Sequence, residues 1–131
     1  MKKKYCAAKL VLFNNNITLI NFFKRIFYLR EISLKFNNPL FHSHALKSGI
    51  LAAFLRLLFN KKYVHTNHGL RFTQKRRYLF LVFLFIEILV IFLSERYICI
   101  RKVDYNFLTS IIKFKFISNK IEIIKLHLDK N

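Results

Sequence analysis

Backbone breakers are nearly missing from this chain, which has two glycines and one proline in 131 residues. No Gly/Ser-rich linker interrupts it and no internal repeat divides it, so the length fits one domain with a real core and leaves no room for a two-domain enzyme. Cysteine is as scarce. Cys6 and Cys99 cannot build a disulfide framework, and Cys99, inside the apolar run of residues 97–100, reads as a small buried hydrophobe in a reducing cytoplasm. Acidic residues number 6 against 24 Lys plus Arg, a net charge of +18. Such an excess favours anionic partners: phosphates, acidic lipid head groups or nucleic acid. An AT-rich gene would encode the same Phe, Ile, Asn and Lys bias without selection for binding, so charge alone does not name a partner.

Two further segments are wanting. Met1-Lys2-Lys3-Lys4 looks like the start of a secretion signal, but Lys9 and Asn14-Asn15-Asn16 break the apolar stretch and no small-residue cleavage site follows, so secretion is not expected. Residues 78–93 are apolar apart from Glu87 and lie between Lys75-Arg76-Arg77 and Ser94-Glu95-Arg96. That run falls short of the ~20 residues that span a bilayer and carries a carboxylate midway, which points to a buried or interfacial helix. The alternative is a small basic membrane protein with one spanning helix at 78–93 and no enzymatic role.

What is present alternates. The asparagines at 14–16 offer helix caps; Asn21, Lys24, Arg25, Tyr28, Glu31 and Lys35 then recur at helical spacing, predicting a helix over 17–36 that Asn37-Asn38-Pro39 ends. A strand is expected at 40–43, a Leu- and Ala-rich crossover helix to Phe59 with Asn60 as its cap, and a strand at 63–66. A long apolar helix to Leu93 and a strand at 97–100 follow, while 103–108 and 121–126 stay open between helix and strand. Strand alternating with helix predicts an α/β fold, a Rossmann-like parallel sheet with right-handed crossovers. In such a sheet, strand ends of one polarity lie side by side and ligands bind beyond their carboxyl ends. His42-Ser43-His44 and His65-Thr66-Asn67-His68-Gly69 should therefore meet at one edge.

The order of these motifs carries a resemblance. A basic amphipathic helix is followed by His42-Ser43-His44-Ala45-Leu46-Lys47-Ser48-Gly49 and a crossover helix. Then come Tyr63-Val64-His65-Thr66-Asn67-His68-Gly69, a helix with Glu87, Arg96-Tyr97-Ile98-Cys99-Ile100 and Asp104-Tyr105. Together they resemble the N-terminal domain of family 4 glycosyltransferases, closest to the bacterial enzymes of capsule, O-antigen and exopolysaccharide synthesis. The similarity covers residues 17–108, between a basic segment at 1–16 and a basic tail at 109–131. It implies half of the GT-B architecture, in which two Rossmann-like domains enclose a cleft. Retaining, metal-independent transfer from a nucleotide-sugar donor to a lipid-linked saccharide acceptor is implied, with no cofactor. On this likeness His68 matches the catalytic histidine that faces the donor sugar. His44, Lys47, Ser48 and Gly49 match the loop lining the acceptor side, and Asn67 and Gly69 flank His68 in its turn. Arg96, Cys99 and Asp104 match a structural signature. The family's opening strand with its Gly-rich turn and its donor-binding domain with paired glutamates are not matched, Pro39 replaces a common aspartate, and Arg101 a small serine. A gene fragment, inactive alone, cytoplasmic and peripheral to the inner face of the plasma membrane, is the expectation.

Other readings compete for the same residues. His42 and His65, within strands, fit packing or hydrogen bonding better than chemistry. Four imidazoles on adjacent strands could ligate zinc, but no cysteine or acidic second shell accompanies them, and no metal is expected. Glu87 is expected to pair with a basic residue or mark a polar helix edge. Lys75-Arg76-Arg77 and Lys113-Phe114-Lys115-Phe116 could contact nucleic acid, yet no helix-turn-helix, zinc-finger or RRM signature joins them. An anionic membrane suits the same surface better.

Overall fold

The structure, a computed structural model, describes residues 18–37, 39–70 and 77–124. The basic segment at 1–16 with its asparagine caps and Cys6, the basic residues Lys75 and Arg76, Asn38, and the tail beyond Ile124 lie outside the described residues.

Helix α1 (Leu19–Lys35) is capped by Thr18, whose Oγ1 accepts the Asn21 backbone N–H at 3.3 Å. Its buried side includes Ile26, Leu29 and Ile32, the first two clustered with Leu51 and Leu55. After Pro39 the chain enters β1 (Phe41–His44), turns into α2 (Ala45–Phe59) and returns as β2 (Tyr63–Asn67). Asn60 takes the left-handed conformation, φ 52°, with its N–H on the Arg56 carbonyl, the cap its sequence position suggests. Helix α3 (Arg77–Leu93), β3 (Arg96–Cys99), α4 (Lys102–Ile111), a single turn α5 (Lys115–Ser118) and β4 (Ile121–Ile123) complete the order. The region at 103–108 is thus helix, and 121–123 is a fourth strand.

The fold is α/β and Rossmann-like, a parallel sheet in the order β1-β2-β3-β4 with crossover helices. The register pairs Phe41 with Tyr63, Val64 with Arg96 and Tyr97 with Ile121. Every crossover steps the same way, so right-handed connections keep α2, α3 and α4 on one face. Strand alternation then sorts the side chains. Ser43, Tyr63, His65, Asn67, Tyr97, Cys99 and Ile121 are buried; the Tyr63 hydroxyl donates to the Val90 carbonyl of α3 at 2.7 Å. Phe80 of α3 meets Phe107 of α4 edge-on at 6.1 Å. The opposite face carries His42, Val64, Thr66, Arg96, Ile98 and Glu122, where His42 Nε2 and Thr66 Oγ1 lie 2.8 Å apart and Arg96 pairs with Glu122.

Among the described residues no helix is long and apolar enough to cross a membrane. The 78–93 segment is a crossover helix whose inner residues, Val90 and Ile91, belong to the main core.

Candidate functional site

Parallel strands bring His44 at the end of β1, Asn67 at the end of β2 with the His68-Gly69 turn, and Arg101 beyond the end of β3 to one edge. His44 and His68 are exposed there, with His44 Nδ1 and His68 Nε2 at 3.2 Å and their rings 5.5 Å apart. His42, two residues earlier on the same strand face, lies with its ring 4.2 Å from that of His44. One ring nitrogen of the His44–His68 pair must donate and the other accept, so the bond exists only while at least one ring is neutral. Partial burial, then the charges of His42 and His68, lower the pKa of His44 and favour that neutral state.

Asn67 builds the second turn. Buried itself, it accepts the Gly69 N–H on Oδ1 at 2.7 Å, closing a side-chain turn of the kind asparagine favours. Gly69 adopts φ 142°, which side-chain-bearing residues rarely reach, and a Cβ there would come within 3.2 Å of Arg101 Nη1. Arg101 is exposed and ion-pairs with buried Asp104 at 3.7 Å, so both crown the His68 turn. Sequence reasoning left them out of the site; the strand-polarity rule that joined His44 to His68 would have found them.

Lys47, Ser48 and Gly49 do not form a loop. Helix α2 starts at Ala45, so all three lie in its first turns. Lys47 is exposed beside the edge, whereas the Ser48 hydroxyl donates back to the carbonyls of His44 and of Ala45, the latter at 3.0 Å. Gly49 is buried against the sheet, where a Cβ would meet His65 Cε1 at 2.7 Å and Val90 Cγ1 at 3.3 Å. In an ordinary helix Gly→Ala gains up to about 1 kcal/mol. Here the overlap reverses the sign, and Gly49→Ala should lower the unfolding free energy by about 1–3 kcal/mol in a urea titration. An unchanged or higher midpoint would show that His65 can yield.

His65 is a core residue. It is fully buried, with Nδ1 2.8 Å from Ser43 Oγ, its ring 5.2 Å from that of Tyr97 and Nε2 without a hydrogen-bond partner. Burial, then the neighbouring His44, His42 and His68, press its pKa down to about 4. It therefore points away from the exposed imidazoles, and the four histidines do not converge. Among the described residues no group of three or more His, Cys, Asp or Glu is placed to hold a metal.

Glu87 corrects a second expectation. Instead of a basic partner it has neutral ones: the Tyr97 hydroxyl donates to Oε1, and Asn67 Nδ2 lies 3.4 Å from the same oxygen and 2.6 Å from Tyr97 Oη. Burial is the main cause that raises the Glu87 pKa to about 7, against the hydrogen bond from Tyr97. Asn67 thus connects a buried carboxyl on α3 to the turn that carries His68. Cys99 is buried with its thiol pushed up to about 12 by burial, which leaves it inert.

Chemically, the edge is a positive ledge. The N-termini of α2 and α4 open onto it beside Lys47, Arg101 and Lys102, and helix N-termini favour anions. The strand order never reverses among the described strands, so no switch-point crevice forms at this edge. An open concavity of about 540 Å³, lined by Ile20, Phe23, Lys24, Phe27, Tyr28 and Glu31 of α1, lies away from it. No protein-family model matches the chain, and comparison with curated proteins and with solved structures returns no match.

Proposed function

We propose that this chain is the acceptor-side part of a glycosyltransferase, working with a donor-binding domain to move a sugar from a nucleotide-sugar donor to a lipid-linked saccharide in cell-surface polysaccharide synthesis. The observation that carries the reading is the meeting of the His44 and His68 turns, 3.2 Å apart, at the carboxyl edge of a parallel sheet. A sequential four-strand sheet with its crossovers on one face corresponds to one half of a doubly wound domain. That fits a cleft completed from elsewhere. His68 is the residue assigned to the transferring sugar. His44, Lys47 and the N-terminus of α2 are assigned to the acceptor, whose diphosphate is the anion they suit; Ser48 ties the first turn of α2 to the His44 carbonyl, Gly49 lets α2 approach His65, and Asn67 and Gly69 shape the His68 turn. A lipid-linked acceptor would place the reaction at the inner face of the plasma membrane. Neither a cofactor nor nucleic acid enters this reading.

Three measurements test it. These 131 residues alone should transfer no sugar, because on this reading stabilisation of the leaving nucleotide belongs to the donor-binding domain. Titrating a short polyprenyl-diphosphate saccharide should shift the imidazole NMR signals of His44 and His68 and leave His65 in place. Within a complete enzyme carrying this turn, His68→Ala should lower kcat more than it raises the acceptor KM. Silent His44 and His68 signals, or unaltered kcat, would remove the ledge from sugar transfer.

A further inference from the structure

The outward side of α3 is reversed from what water selects. Tyr78, Leu81, Val82, Phe85, Leu89 and Phe92 recur at three- and four-residue steps and are 39–69 % exposed. At 100° per residue they fall within one stripe, and Glu87, the one carboxylate of the helix, sits diametrically opposite, 2 % exposed. An exposed apolar stripe of this extent marks an interaction surface. The adjacent α2 adds Phe54, Leu57 and Leu58, all exposed.

The occupant follows from charge and shape. Arg77 is exposed where the stripe begins, and Lys75 and Arg76 precede it in sequence. At the other end Lys120 Nζ stands 5.8 Å from the Phe92 ring and 5.1 Å from that of Phe116, and Lys113 and Lys115 are exposed earlier in the same stretch of sequence. A second copy would set +18 against +18 across the contact. A protein partner would need a groove fitted to a convex ridge, whereas lipid conforms to one. We propose that α3 docks on an anionic bilayer and lies in the plane of the interface, its stripe among the acyl chains and Arg77 and Lys120 at the level of the phosphates. The helix lies on the membrane and does not cross it. This proposal does not rest on sugar transfer and is tested without donor or acceptor.

The chain has no tryptophan, so Phe85→Trp supplies a single reporter on the stripe. With phosphatidylglycerol–phosphatidylcholine vesicles its emission should shift to the blue and be quenched by brominated acyl chains. Binding should fall at least tenfold on vesicles of phosphatidylcholine alone, or in high salt. In a sedimentation assay Leu81→Asp/Phe85→Asp should lower vesicle partitioning at least tenfold while leaving the circular dichroism intact, since both side chains are exposed. Emission unmoved by anionic vesicles, partitioning undiminished in the double variant, or a lipid-free blue shift that grows with protein concentration would each overturn the proposal, the last in favour of self-association.

Discussion

Asn67→Leu should lower the unfolding free energy by about 2–4 kcal/mol, since each buried polar group left unpaired costs about 1–3 kcal/mol. Leucine keeps the branching of asparagine and is the larger side chain, so no cavity is left. The loss comes from three atoms that Asn67 serves: the Gly69 N–H at 2.7 Å, Tyr97 Oη at 2.6 Å and, more weakly, Glu87 Oε1 at 3.4 Å. A second readout separates turn from core. Without its side-chain bridge the Gly69 turn loosens, and the His44–His68 bond across the two strands should weaken, visible as a rise in the His44 pKa toward its ordinary value. Unchanged stability together with an unchanged His44 titration would dismiss Asn67 as the link between them.

The second large effect is in the pH dependence. Glu87 titrates at about 7 in the fold against 4.5 as a free side chain. The raised value means that the native state binds its proton more tightly than the unfolded state does. Its contribution is fully present below about 4.5 and is lost as pH rises to about 7. His65 is the mirror case. Its value falls from 6.5 to about 4, so its contribution is present above 6.5 and is lost as pH drops to about 4. Between these limits the two slopes oppose, and the wild-type curve should be shallower than either group alone would make it. Glu87→Gln keeps an acceptor for the Tyr97 hydroxyl and removes the ionisation. It should stabilise the fold by about 3 kcal/mol above neutral pH, two to three pKa steps at 1.36 kcal/mol each. It should also uncover the His65 slope, with stability climbing as pH rises from 4 to 6.5. Denaturant titrations at pH 4.5, 6 and 8 would read both; a variant no more stable than wild type at pH 8 would refute the buried-acid account.

Strands and crossovers were legible because Pro39, the two histidine turns and Asn60 punctuate the chain where the backbone does turn. Strand limits slipped by a residue for a traceable reason. Arg96 looks like a loop residue, yet it opens β3 because Val64 pairs with it and because its guanidinium meets Glu122 on the sheet face away from the helices. The segment at 121–123 is too short to show a period, and its strand conformation comes from pairing with β3. Gly49 read as a turn glycine, although its need is a close approach to His65, a residue of another element. Glu87 carried no local signal either, since Tyr97 and Asn67 arrive from strands ten and twenty residues away. The His44–His68 juxtaposition was accessible only through strand polarity, and the buried support beneath it was not.

The sequential strand order bears on how the protein is made. Each strand pairs with the next one in the chain, Phe41 with Tyr63, Val64 with Arg96 and Tyr97 with Ile121. Among the described strands none has to be inserted between two that already pair. Each strand–helix unit can therefore dock on the one before it as it leaves the ribosome, and loop closure stays short at every step. On this route His44 and His68 come together once β2 is synthesised, before the Glu87 and Tyr97 side chains that brace Asn67 have emerged. The ledge forms early and becomes rigid late.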